Sequence, residues 1–95
     1  MISKTTYKTP EGKNINITVD ISANKLQNIE ITGDFSLYPD KSIEEIERGI
    51  MDVDIDEAKI TQKLQSIIKK HKITFVGITE YSFARAVIIS CRITK

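Results

Sequence analysis

The sequence is poor in the side chains that most often carry chemistry. It holds one cysteine (Cys91), one histidine (His71), no tryptophan, three tyrosines, three phenylalanines, four glycines and two prolines in 95 residues. A single thiol excludes an internal disulfide. Nucleophilic catalysis needs a base beside the nucleophile. Cys91 and His71 fall in separate predicted elements with no motif around either, so Cys91 reads as a small core residue and His71 as a solvated helix end. The glycines form no G-x-G-x-x-G or Walker-type run, which removes the recognised phosphate cradles and, with them, an autonomous ATP-using enzyme. They form no G-x-x-G clamp either, and Tyr7 is the sole aromatic in the predicted sheet ahead of Phe35, so the stacking platforms of single-strand nucleic-acid modules are missing. Charge of either sign is not in excess. With 14 basic and 13 acidic residues the formal net charge is +1, which exerts no general pull toward nucleic acid or membrane. No apolar run approaches the ~18 residues of a membrane span, and the N-terminus lacks the apolar core of a signal peptide. The chain reads as soluble and cytoplasmic.

What is present fits residues 1–95 as a single small domain with a thin core, 40% hydrophobic and 28% charged. The aliphatic content is skewed, with 18 isoleucines against 3 leucines, so strand propensity is inflated throughout and periodicity has to decide. Ile15, Ile17, Val19 and Ile21 alternate with Asn16, Thr18 and Asp20, the period of a strand with one buried face. Upstream, the run through Thr5, Tyr7 and Thr9 ends at Pro10-Glu11-Gly12, which suits a type I turn and predicts a hairpin. Downstream, Ser22-Ala23-Asn24-Lys25 is a polar break, with Asn24 the residue best able to take a positive φ. A third strand then turns Ile29 and Ile31 inward. Leu26 is out of phase with that pair and belongs to the turn or marks a bulge.

Helices follow to cover the sheet. Ser42-Ile43-Glu44-Glu45 has the form of a capping box ahead of Ile46 and Ile50, predicting a short helix over about 43–51. Asp54 can cap a second helix whose apolar stripe is Ile60, Leu64, Ile67 and Ile68 and whose end carries Lys69, Lys70 and Lys72. Residues 73–78 form an extended connector or strand, after which Thr79 can cap a last segment. Residues 83–93 fit a helix or a strand. As a helix, Phe83, Ala84, Val87, Ile88 and Cys91 line one face, while Ala86, Ile89 and Ile93 line another that is either internal or a subunit contact. Asp52-Val53-Asp54-Ile55-Asp56 resembles the start of a calcium loop. Glu57 stands where that loop needs glycine and Lys63 where it needs a bidentate glutamate, so no metal site is assigned. Residues 40–57 carry eight acids and two bases, and residues 58–72 five lysines and no acid. This is the pattern of neighbouring helices that attract each other or of two solvated faces.

Between sheet and helices lies the most informative stretch, Ile29 to Asp40. A Gly33-Asp34 pair ending a strand gives the chain freedom to turn, and Phe35, Leu37 and Tyr38 crowd three large side chains into four positions. They form either an aromatic plug at the sheet edge or a partly exposed docking patch.

The order of these features resembles the accessory, or C-terminal, domain of lipoate–protein ligases. The features are a basic strand ending at Tyr7-Lys8, a Gly12-Lys13 turn, the alternating strand, a polar hairpin with Lys25, and Ile31-Thr32-Gly33-Asp34-Phe35. The likeness extends through Pro39 and Ile43-x-x-Ile46-Glu47 to Gly77-Ile78-Thr79; it departs at Ser36, where the family commonly has a second aromatic. In some archaea this domain is a separate small subunit. The resemblance implies a two-layer α+β fold, a three-stranded antiparallel sheet followed by helices on one face, similar to iron–sulfur scaffold proteins. It further implies a non-catalytic partner, in a heterodimer, of a catalytic subunit that uses ATP, Mg and lipoate to make lipoyl-AMP. The acyl group then passes to a lysine on the lipoyl domain of a 2-oxoacid dehydrogenase or glycine-cleavage protein. On that reading the chain binds no cofactor itself, and Gly33, Asp34, Phe35, Leu37, Tyr38, Pro39, Ile89 and Ile93 are candidate partner-interface residues. Two alternatives stand beside it: a small protein-interaction adaptor, and an iron–sulfur assembly scaffold, which a single cysteine serves poorly.

Overall fold

The computed structural model describes residues 2–91. Strands β1 (Ile2–Lys8), β2 (Asn14–Ser22) and β3 (Lys25–Gly33) form an antiparallel sheet in the order β1-β2-β3. The alternation in β2 has the expected effect: Ile15, Ile17 and Val19 are buried on one face, and Ile29 and Ile31 of β3 are buried beside them. Full burial of each such side chain contributes about 1.5–3 kcal/mol. The β1–β2 turn closes with Gly12 N–H donating to Thr9 C=O at 2.9 Å, and Gly12 takes a φ of +86°. The β2–β3 turn is the tight kind that needs two positive φ angles, and Ala23 joins Asn24 in that region. The register shifts between Asp20/Asn28 and Ile21/Leu26, leaving Gln27 as the extra residue of a bulge. That shift buries Leu26 completely and accounts for its phase in the sequence.

The α+β architecture is completed by α1 (Ser42–Gly49), α2 (Glu57–His71) and α3 (Glu80–Ser90), with α3 lying against β1 and β2 and α1 against β3. Residues 83–90 are therefore helix, which resolves the open choice between helix and strand. The second apolar face is divided: Ala86 is fully buried, Ile89 is 36% exposed, and Ile93 lies outside the described residues. Thr79 caps α3 as expected, its hydroxyl accepting from Ser82 N–H at 3.0 Å.

Two expected caps are corrected. Ser42 is the first helical residue of α1 rather than its cap, and its hydroxyl donates to Pro39 C=O at 2.6 Å. The cap of α2 is Asp56, which accepts from Lys59 N–H at 3.0 Å, while Asp54 is taken up by ion pairs to Lys25 and Lys59 at 2.6 and 2.7 Å. A second, two-stranded sheet pairs β4 (Ser36–Tyr38) with β5 (Thr74–Val76). Among the described residues no helix is long and apolar enough to cross a membrane.

Candidate functional site

The Gly33–Pro39 stretch is where the main sheet hands the chain to the small one. Gly33 ends β3 opposite Ile15, and Asp34 N–H continues the pairing by donating to Asn14 C=O at 3.1 Å. A Cβ on Gly33 would collide with Asn14 O and Phe35 Cε2. Gly33 is not among the residues with positive φ, so its role is space for the Phe35 ring rather than the turning freedom expected from the sequence. That ring, half-buried, meets Phe83 of α3 edge-on, with centroids 6.1 Å apart and planes at 78°. Phe75 of β5 also meets Phe83, with centroids 5.3 Å apart and planes at 58°. Edge contacts of this kind add about 0.5–1.5 kcal/mol to the burial itself. Gly77 follows β5 with a φ of +95°, and a Cβ there would lie 3.7 Å from the Phe35 backbone and 3.5 Å from Lys13 Cε. Phe35, Phe75, Phe83, Gly33 and Gly77 thus form one closed corner.

The pairing of β4 with β5 sorts the remaining candidates by face. Leu37 and Phe75 oppose each other and turn inward, leaving Leu37 7% exposed. Ser36 faces Val76 and Tyr38 faces Thr74 on the outward side. Tyr38 is 51% and Val76 50% exposed. The stretch is divided residue by residue: Phe35 and Leu37 pack inward as the expected plug, and Tyr38 and Val76 are exposed to solvent. Asp34 is exposed and receives a bond from Asn14 Nδ2 at 3.4 Å. Pro39, after a cis Tyr38-Pro39 bond, ties the corner to α1 through its carbonyl, which accepts from Ser42 N–H and Oγ. Ile89 does not join this surface. It lies six residues along α3 from Phe83, about 9 Å away and rotated to another side of the helix.

Val76 shares the exposed face with Tyr38, a placement the sequence reading did not assign. The in-out alternation over Phe35-Ser36-Leu37-Tyr38, repeated in Thr74-Phe75-Val76, was the available signal.

Electrostatics add a second lock near the same corner. Ser82 Oγ donates to Glu11 Oε1 at 3.0 Å, joining the β1–β2 turn to the start of α3. Burial opposes ionisation of Glu11, but the hydrogen bonds led by Ser82 outweigh it and hold the carboxyl below the usual glutamate range. Burial pushes the Cys91 thiol up, so the thiolate a nucleophile needs is disfavoured. No three His, Cys, Asp or Glu side chains among the described residues gather into a group that could hold a metal ion.

No curated protein sequence matches the chain. A solved structure does, that of an archaeal bipartite lipoate protein ligase and its E2 lipoyl domain from Thermoplasma acidophilum. The likeness covers 99% of this chain and 98% of that one at 23% identity, with a TM-score of 0.80, and shows a shared fold. The family described as the bacterial lipoate protein ligase C-terminus matches residues 4–87, from β1 into α3 and through the Gly33–Phe35 corner. A match over that much of the fold means that the chain belongs to the lipoate protein ligase C-terminus family, which ties it to protein lipoylation.

Proposed function

We propose that this chain is the accessory subunit of a two-component lipoate–protein ligase and does no bond-making itself. The observation that carries the reading is the family match across residues 4–87. The end-to-end likeness to a chain of a bipartite ligase supports it. In this reading the catalytic subunit joins the lipoate carboxylate to the α-phosphorus of ATP with loss of pyrophosphate, and Mg assists the phosphates. A lipoyl-domain lysine then attacks the acyl carbon and AMP leaves. The mixed anhydride between these steps is prone to hydrolysis, so a domain packed over the active-site mouth, ordering its loops and excluding water, would act chiefly on the first step. The outward face of β4–β5, with Tyr38 and Val76, is the surface we assign to that contact, braced from beneath by Phe35 and Leu37.

The test is lipoyl-AMP formation from lipoate and ATP by the catalytic subunit of the source organism, with and without this chain. Adenylation that depends on the added chain is the expected result. An unchanged rate together with separate elution of the two proteins would overturn the reading.

A further inference from the structure

The fold treats the two edges of its main sheet differently. Along β3 the edge is closed. Leu26 N–H donates to Val53 C=O at 2.9 Å and Leu26 C=O accepts from Asp52 N–H at 2.7 Å, so the α1–α2 loop lies along the strand. Ile29 N–H donates to Asn28 Oδ1 at 3.0 Å, and Ile31 N–H to Glu47 Oε2 at 2.8 Å. Outward-facing amides at Ile29 and Ile31 mean that Glu30 and Thr32 bond to Thr18 and Asn16 of β2. That leaves Ile15, Ile17 and Val19 to bond Tyr7, Thr5 and Ser3 of β1, a series that the Thr9 N–H to Lys13 C=O bond continues. The backbone groups of Lys4 and Thr6 therefore point away from the sheet, and no described residue takes them up. The strand has seven residues, about 23 Å of edge, with no proline or bulge and, among the described residues, no segment paired to that edge.

We propose that the outer edge of β1 is a strand-addition site for an extended segment of the partner ligase subunit, one carrying carboxylates at alternate positions. The proposal rests on the subunit reading above. Main-chain bonds to Lys4 and Thr6 would supply affinity, and side chains would set the choice of partner. Lys4, Thr6 and Lys8 share the outer face, and neither lysine pairs with a described acid. A second copy of β1 added antiparallel would bring the Lys4 and Lys8 side chains of both copies onto one face, which is unfavourable; alternate carboxylates turn the same lysines into attraction. The inward residues of the incoming strand would extend the cover over half-buried Ser3, Thr5 and Tyr7 and over Ile89. Ile89 lies two turns after Ser82 on α3, on the side that holds the β1–β2 turn.

Proline separates this role from folding, because the Thr6 N–H bonds nothing within the sheet. Thr6→Pro removes a donor from the edge without breaking the ladder, and Thr6→Ala controls for the hydroxyl that donates to Asn16 Oδ1. With the catalytic subunit as ligand, Thr6→Ala should bind as the unaltered chain does, while Thr6→Pro and the double variant Lys4→Glu/Lys8→Glu should each bind about tenfold more weakly. Amide exchange at Lys4 and Thr6 of the unaltered chain should slow in the complex; this arm decides the matter should Thr6→Pro fail to fold. A complex in which both amides exchange as in the free chain overturns the strand-addition site and leaves the subunit reading standing. Failure of the unaltered chain to bind the catalytic subunit overturns both.

Discussion

The two ends of β3 are held by different forces, and the contrast shows where this fold tolerates change. At the start, Lys25 and Lys59 converge on Asp54 at 2.6 and 2.7 Å, on side chains that remain 37–60% exposed. At the finish, Gly33, Phe35, Phe75 and Phe83 close a corner with no room for a methyl group on Gly33. Ion pairs in water are adjustable and individually weak, whereas a packed corner has few alternative arrangements. The segment by which the sequence resembles its family lies at the second end.

The largest expected effect tests whether that corner also serves the partner. Phe35→Asp places a charge against the Phe83 ring and should both destabilise the domain and abolish association with the catalytic subunit. Tyr38→Asp, on the exposed face, should leave the melting temperature within a few degrees yet weaken association. Measured by calorimetry and by co-elution, a folded Phe35→Asp chain that still binds would remove the docking role of this segment. Next, Gly33→Ala should cost about 2–3 kcal/mol in denaturant unfolding, because either Phe35 or the Asn14 backbone has to move. A loss no larger than that of an exposed-strand substitution would show that the corner is looser than its contacts indicate.

A smaller effect is expected at Glu47 of α1, which accepts from Ile31 of β3. Glu47→Ala strips Ile31 N–H of its acceptor and should cost about 1–2 kcal/mol, whereas Glu47→Gln keeps an acceptor and should cost less. Burial raises the Glu47 pKa above its ordinary 4.5, against the bond from Ile31 and with help from Glu30 and Glu44. Its contribution therefore worsens as pH rises from about 4.5 through that higher folded value, and Glu47→Gln should flatten this part of the stability profile.

Asp54 has the opposite sign and is expected to have the smallest effect. Hydrogen bonds from Lys25 and Lys59 hold its carboxyl down from 3.8 to about 2, so its contribution is present above the unfolded value and is lost as pH falls from 3.8 toward 2. Asp54→Asn should change the unfolding midpoint little at neutral pH and in high salt, and should blunt the decline in that acid window. An equal loss at all pH values would show that Asp54 acts by shape rather than charge.

Much of the fold was legible because its signals are local. The period of Ile15–Ile21, the turn at Asn24, the stripe of α2 and the Thr79 cap each depend on residues within a few positions of one another. The phase of Leu26 left a turn or a bulge open, and the register shift beside it decides for the bulge. The caps at Ser42 and Asp54 were misplaced because capping depends on the backbone angle at which the chain arrives. Ser42 is instead bonded to the Pro39 carbonyl, and Asp54 is paired with Lys25, nearly thirty residues earlier. A three-residue strand such as β4 carries too short a pattern to read alone and exists because β5 lies beside it.

The candidate surface divides along the same line. Which residues are apolar, aromatic or charged, and which elements they ride on, follows from the order of the chain alone, as does the resemblance centred on Gly33-Asp34-Phe35. Tertiary structure decided that Phe35 and Leu37 face inward while Tyr38 and Val76 face solvent, that Ile89 belongs to a different side of the molecule, and that β3 is a closed edge while β1, among the described residues, has no strand paired to its outer side. The physical reason is range. Propensity and periodicity act over a few residues. Exposure and edge closure depend on segments brought together across the chain, and no window of sequence contains both partners.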